Sequence, residues 1–317
     1  MGPLLFCALS LALSVRPAAA REPETVTLLF VGDMMLGRQV EAVMRHEHDW
    51  GFPLRLLRDR LRAADLTFGN LECVAARSGT KRTEYEFRTD PQALDGLADA
   101  GFDVVSIANT HTTDWGPDAL AETLRELERR KIAPVGLDSG GIQAPVVLRA
   151  GGLRVGFLAF SHYAGGDAAA HDRVRIALIG GKALIGAVQA ARPTVDYLVV
   201  SLHTGKQFEK RATRAQQEIA RAAIEAGADL VVGHHPHVPQ EIEKHGRGFI
   251  AYSLGDFVFD HPEVSQEGAI LAVTLAGTEP TRIVYTRTRM NARFQPEAVG
   301  EERFEGAALR GPDGVLD

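Results

Sequence analysis

Apolar residues recur along this chain in two alternating patterns. Short runs rich in Val, Leu, Ile and Phe read as strands: "TVTLLFVGD" (25–33), "DLTFGNLE" (65–72), "FDVVSIANTH" (102–111), "LRVGFLAFS" (153–161), "VDYLVVSLH" (195–203) and "ADLVVGHH" (228–235). Interleaved with them are segments whose apolar residues fall at helical spacing: "PLRLLRDRLRAA" (53–64), "DPQALDGLADAG" (90–101), "PDALAETLRELERRK" (117–131) and "RATRAQQEIARAAIEAG" (211–227). Asp90 is placed to cap the second of these and Gly101 to stop it, while Pro117 opens the third with Leu120, Leu124 and Leu127 on one face. From residue 240 the pattern becomes hairpin-like, through "QEIEKHGRGFIAYSLGDFVFD" (240–260), "GAILAVTLAG" (268–277) and "TRIVYTRTRM" (281–290). This order predicts an α/β domain over residues 25–290, built of two sheets with helices outside, followed by a polar, turn-rich tail over 291–317.

Composition narrows the class. The chain has 317 residues and a formal net charge of −6, with no long run of Lys or Arg, which argues against a nucleic-acid or anionic-membrane surface. The opening "MGPLLFCALSLALSV" is almost wholly apolar and is followed by "RPAAA", whose Ala18, Ala19 and Ala20 form a small-residue cleavage site. Residues 1–20 are therefore expected to be a signal peptide, the apolar run being short for a membrane span of about 20 residues. The expected product is exported, periplasmic or extracellular, with no retained membrane anchor. Its remaining cysteine, Cys73, has no partner for an internal disulfide once Cys7 is removed.

The residues able to do chemistry collect where the strands end. Asp33 ends the first strand, Asn70 and Glu72 the second, Asn109 and His111 the third with Asp114 close behind; His203 ends "YLVVSLH", and His234, His235 and His237 follow "DLVVG". In α/β sheets the carboxyl ends of strands face the crevice where ligands bind. Carboxylate, amide and imidazole donors brought to one edge suit a hydrolytic site for one or two divalent ions, Mn, Fe or Zn. Pro236 biases His235 toward extended backbone, and His235 and His237 at i, i+2 on such a backbone point to one side. On that reading His234 faces the other way and is structural. His46, His48, His162, His171, His245 and His261 are expected at the surface.

Taken together, "VGDMMLGR" (31–38), "GNLEC" (69–73), "IANTHTTDWG" (107–116), "HTGKQFE" (203–209), "VVGHHPHVPQ" (231–240) and "AYSLGDFVFD" (251–260) resemble, in the same order, the blocks of the CapA family of poly-γ-glutamate capsule biosynthesis proteins, in the calcineurin-like metallophosphoesterase superfamily. The resemblance implies a four-layer α/β/β/α sandwich of two mixed sheets with a metal site at their edge. It implies metal-binding roles for Asp33, for Asn70 or Glu72, and for His203, His235 and His237, and a phosphate-contacting role for His111. There are departures from the superfamily pattern: Met35 stands where a histidine ligand is usual, and Thr110 where an asparagine ligand is usual. Asn109 could substitute for the latter only if its loop shifts. Asp256 replaces the asparagine common in "SLGNF".

Two functions follow from this reading. One is a metal-dependent hydrolase of the cell envelope, cutting a phosphoester or an amide bond in an anionic polymer or a phosphorylated small substrate, with His111 stabilising charge and Asp114 orienting it. The other is a non-catalytic partner of a capsule synthase complex, binding the acidic polymer through Arg38, Lys206, Lys210 and Arg211.

Overall fold

The computed structural model describes residues 25–138, 140, 142–163, 175–261, 266–310 and 313–316. The expected signal segment, Cys7 and His171 lie outside the described residues. The first strand, Thr25–Met34, shows how the layers arise. Its side chains alternate between faces, so Val26, Leu28 and Phe30 enter one core while Leu29 and Val31 enter another. The first core lies between two sheets: Phe30 and Phe68 from one meet Phe157, Tyr197, Val199, Leu230 and Val232 from the other, with Phe68 and Phe157 stacked at 5.9 Å between ring centroids. Helices Arg38–His46, Ala93–Asp99 and Gly116–Arg129 close the outer face of the first sheet. Helices Gly181–Ala191 and Arg214–Ala226 close the outer face of the second. The protein is the α/β/β/α sandwich expected.

Both sheets are mixed. In the first, the spatial order is 296–305, 279–290, 267–276, 25–34, 66–71, 104–106, 133–135, with 256–258 pairing the end of the first strand. Strands 25–34, 66–71, 104–106 and 133–135 run parallel, and the 267–276 strand joins antiparallel. In the second sheet the order is 314–315, 242–245, 248–251, 230–234, 197–203, 153–161, 146–150, with the four central strands parallel. The carboxyl ends of the parallel strands deliver Asp33, Asn70, His203 and His234 to one edge of the sandwich.

The structure departs from the sequence reading in places. Pro53 sits in a 3₁₀ turn, Phe52–Leu54, so only Arg58–Arg62 of the expected 53–64 helix is α-helical. The third strand is confined to Val104–Ser106 because the chain turns at once into a loop that carries chemistry. The segment read as a polar tail supplies a ten-residue strand, Pro296–Glu305, paired antiparallel with 279–290. It reads as polar because it is the outer strand of the sheet and most of its side chains meet solvent, Phe304 alone reaching the inter-sheet core. Among the described residues no helix is long and apolar enough to cross a membrane.

Candidate metal centre

The edge is assembled around Asp33. The first strand is irregular between Phe30 and Asp33, and Asp33 comes to lie in register with Asn70 on one side and Asp256 on the other. Gly32 is required by close approach, since a Cβ there would lie 1.9 Å from the Gly255 carbonyl oxygen, and the Asp33 N–H donates to that same oxygen at 2.9 Å. The buried Asp33 carboxylate accepts hydrogen bonds from Asn70 Nδ2 at 2.8 Å and from the backbone N–H of His235 at 3.1 Å. His234 Nδ1 stands 3.1 Å away and His237 Nδ1 3.6 Å. Burial alone would raise its pKa; the adjoining His234, and behind it His237 and His203, outweigh that and hold the carboxyl well below the usual carboxylate range.

Glu72 is the opposite case. It is fully buried, and neither carboxylate oxygen has a hydrogen-bond partner. Its nearest imidazoles are His203 Nε2 at 3.7 Å and His111 Nε2 at 3.9 Å. Burial, then the negative charge of Asp33, pushes its carboxyl well above the ordinary value. Among the described residues no lysine or arginine pairs with Asp33, Glu72 or Asp256. A buried carboxylate with bare oxygens and no basic partner is costly unless a cation completes it. Asp33, Glu72 and His203 each offer a ligand atom, all within 4.8 Å of one another. Carboxylate and imidazole donors in this number fit a divalent Mn, Fe or Zn ion.

The two asparagines have other partners. Asn109 Oδ1 accepts the His111 N–H at 3.0 Å and the Thr112 hydroxyl at 2.9 Å, while its Nδ2 donates to the Leu71 carbonyl at 2.8 Å and to Asn70 Oδ1 at 3.1 Å. That orients Asn70 in turn: its oxygen is taken by Asn109 and its NH₂ points at Asp33. In this arrangement Asn109 shapes the loop and Asn70 aims Asp33; Asn109 Oδ1 already accepts two hydrogen bonds and Asn70 Oδ1 one. Thr110 Oγ1 lies 3.1 Å from His203 Nε2 and helps set that ring. Met35 is fully buried in the helix-side core.

His235 and His237 both reach the site, but not on extended backbone. Their φ angles are 95° and 59°, in the left-handed region, so a strand-like alternation does not describe them. His234, by contrast, is the last residue of its strand and keeps the period of Leu230 and Val232, so it faces the inter-sheet side and Asp33. The expectation that it points away is corrected by that register. The His235 ring meets His203 at 4.9 Å between centroids. His237 Nδ1 lies 2.8 Å from Asp256 Oδ1, and His261 Nδ1 lies 3.0 Å from Asp256 Oδ2. His261 thus belongs to the site and not to the outer surface. A sequence signal existed for Asp256, since "LGD" (254–256) repeats the Gly-Asp of "VGD" (31–33), although Asp256 opens its strand where Asp33 lies near the end of its own.

His111 is buried beside Phe87, at 3.9 Å between ring centroids, and its Nδ1–H donates to Asp114 Oδ2 at 2.7 Å. Nε2 is left toward Glu72. Arg38 is committed to Asp260, and Lys206 to Glu209 at 2.6 Å.

Burial, with the charge of His237 second, lowers the His235 pKa to about 4. The folded chain therefore binds that proton less readily than the unfolded one, whose imidazole titrates near 6.5. The stability due to a neutral His235 is present above that value and is lost as pH falls toward 4. In chelator-treated protein, the unfolding free energy of the chain relative to His235→Gln should drop by about 3 kcal/mol between pH 6.5 and 4, and stay level above pH 7. Urea unfolding of both proteins across this range checks it.

Comparison with known proteins places this edge in a family. Residues 27–261 match the family described as "Bacterial capsule synthesis protein PGA_cap". The chain is 30% identical over 260 residues to "Capsule biosynthesis protein CapA" of Bacillus anthracis, covering 78% of this chain and 63% of that one. It is 31% identical over 244 residues to "PGA biosynthesis protein CapA" of Bacillus subtilis (strain 168), covering 75% and 64%. The chain therefore spans less than two thirds of the length of these relatives. Solved structures similar to it include a hypothetical protein from Thermus thermophilus, with a TM-score of 0.47 and 19% identity over 88% of this chain and 99% of that one. Haemophilus influenzae NAD nucleotidase (NadN) matches with a TM-score of 0.47 and 12% identity over 87% of this chain and 60% of that one. The match over 27–261 takes in Asp33, Glu72, His111, His203, His235, His237, Asp256 and His261, and the chain belongs to the bacterial capsule synthesis protein (PGA_cap) family.

Proposed function

We propose that this chain is an exported protein of capsule biosynthesis whose edge cleft binds a divalent cation and hydrolyses a phosphoester or amide bond in poly-γ-glutamate, a related anionic polymer or a phosphorylated precursor. The observation that carries the reading is Glu72, a buried carboxylate with both oxygens bare, facing Asp33 and His203. Asp33, Glu72 and His203 would hold the ion, with His235 and His237 beside them. A bound Mn, Fe or Zn ion supplies an acidified water and a Lewis acid for the scissile bond's oxygen.

The chain's own groups do the rest. Asn70, held by Asn109, keeps Asp33 aimed into the cleft. Asp114 takes the Nδ1 proton of His111 in a hydrogen bond and fixes the ring, so Nε2 is the atom that can hold a proton at a departing oxygen. Phe87 and Tyr85 pack against the His111 ring and keep water from it. The names of the Bacillus relatives support capsule biosynthesis as the setting; components of a capsule synthase are the proposed partners, and the apolar first twenty residues support export.

Protein stripped of metal and reloaded with Mn²⁺, Fe²⁺ or Zn²⁺ should cleave bis-p-nitrophenyl phosphate or poly-γ-glutamate, and His111→Ala should slow the reaction about 10²–10⁴-fold. Absence of turnover on both substrates with all three ions would overturn hydrolysis.

A further inference from the structure

Among the described residues, three Phe, Tyr or Trp side chains are exposed, and all three stand at the cleft. Tyr85 is 47% exposed, Tyr163 37% and Phe208 43%. Each ring lies against a different histidine of the site: Tyr85 against His111 at 4.9 Å between centroids, Tyr163 against His235 at 4.7 Å, and Phe208 against His237 at 6.0 Å. Apolar residues scattered singly over a surface need no explanation; an aromatic set gathered on one rim does. We infer that this rim stacks on a planar apolar ring carried by the substrate next to its scissile bond, so that the cleft selects a ring-bearing phosphoester over a bare polyanion. The inference rests on the proposed reading of the cleft as a hydrolytic cation site and narrows its substrates to that class.

The way the rings are held supports it. Phe208 has a φ of 64°, left-handed backbone that a bulky side chain enters only at a cost. Its N–H donates to the Pro236 carbonyl at 2.8 Å, which ties the ring to the loop carrying His235 and His237. Tyr163 is fixed by its hydroxyl, which donates to the Gly205 carbonyl at 3.0 Å, so the ring face and not the proton is what remains for a ligand. A ring already held in place has little entropy left to lose when it stacks. Two charges beside the rim are also answered: Lys206, two residues before Phe208, holds Glu209, and Arg38 holds Asp260. A polymer with a carboxylate on every unit finds no free cation in those two, and the hydroxyls of a sugar find the Tyr163 proton already given. A planar apolar ring asks for neither, and each aromatic partner adds about 2–10-fold in affinity beyond the area it buries.

The competing account is that the three rings only wall the imidazoles from solvent, in which case a ring on the ligand gains nothing. Calorimetry on the full chain loaded with Mn²⁺ separates the two, with phenylphosphonate, cyclohexylphosphonate and methylphosphonate as probes. Phenylphosphonate should bind at least about fivefold tighter than methylphosphonate, with cyclohexylphosphonate, apolar but not planar, between them. Tyr163→Ala and Phe208→Gly should each narrow that gap by about 2–10-fold. Glycine suits the left-handed backbone at position 208, so the second variant removes the ring without strain. Both variants should raise KM for bis-p-nitrophenyl phosphate more than they lower kcat, as loss of substrate binding away from the reacting atoms does. Equal affinity for phenyl- and methylphosphonate, or a preference that both variants keep in full, would overturn the rim alone. So would turnover of the ester by a chain that binds none of the three phosphonates. Neither binding nor turnover in the unmodified chain would overturn this inference together with the reading on which it rests.

Discussion

Asp33→Ala will cost the chain more than about 100-fold in divalent-cation affinity. Loss of a group that merely supports a ligand lowers metal affinity about 10–100-fold, and Asp33 is more than a support. It is the anion that the Asn70 amide, the His235 backbone N–H and the His234 and His237 rings all face, at 2.8, 3.1, 3.1 and 3.6 Å. Removing it takes away the carboxylate that its neighbours hold in charged form and leaves Glu72, whose burial works against charge, as the acid facing the ion. The same change leaves Asn70 Nδ2 without its strongest acceptor. Calorimetric titration of chelated protein with Mn²⁺ measures the loss, with far-UV circular dichroism as the control on folding. An alanine variant that binds within about tenfold of the unmodified chain would remove Asp33 from the ligand set.

Glu72→Gln should act with opposite sign in the absence and presence of metal. Without an ion, the native state disfavours a charge on Glu72, whose folded pKa is raised well above the ordinary value of 4.5. An acid with a raised folded pKa destabilises the fold as pH climbs past the unfolded value, by about 1.4 kcal/mol per unit until the folded pKa is reached. Glutamine keeps the shape and has no charge to bury. In chelator the variant should therefore be more stable at pH 7, by up to about 1–4 kcal/mol, the range seen when buried ion pairs are replaced by neutral residues. At pH 4 the two proteins should coincide. With Mn²⁺ present the order reverses, since the unmodified chain gains binding energy that the variant lacks. Urea unfolding in chelator and in excess Mn²⁺, at both pH values, reads all four cases. Glutamine that destabilises the chain equally with and without the ion would mean that Glu72 serves the fold and not a cation.

Both expectations express one trade. The fold buries three carboxylates, Asp33, Glu72 and Asp256, beside imidazoles and, among the described residues, unpaired with lysine or arginine, and it keeps Arg38 nearby bound to Asp260 instead. Such an edge is unfavourable by itself and favourable only when filled, which is a general way for a rigid scaffold to store selectivity for a small, highly charged ligand.

How much of this is written locally follows from where each residue sits. Positions on regular strands obey a period of two, so the run 25–33 by itself determined that Leu28 and Phe30 would share a face and that an acid would stand at the strand's end; the same holds for His203 after Val199 and Ser201. Alternation of strands and helices was enough for the layered architecture, because apolar faces of fixed spacing have few ways to be buried. Past the strand ends that logic fails. His235 and His237 take left-handed backbone, and the loop carrying them is held by long-range bonds such as the Phe208 N–H to the Pro236 carbonyl at 2.8 Å. The roles of Asn70 and Asn109 rest on which partner each amide meets, and those partners come from separate strands and loops. Asp256 and His261 join the site only because the strand at 256–258 pairs with the end of the first one, from a distant part of the chain. The outer strand Pro296–Glu305 looks like a tail in isolation, since a strand with one neighbour and one face in solvent has no apolar pattern to show. Periodic burial is a local property and can be read from the chain; hydrogen-bond and charge partnership is a property of neighbours in space, and only the folded molecule decides it.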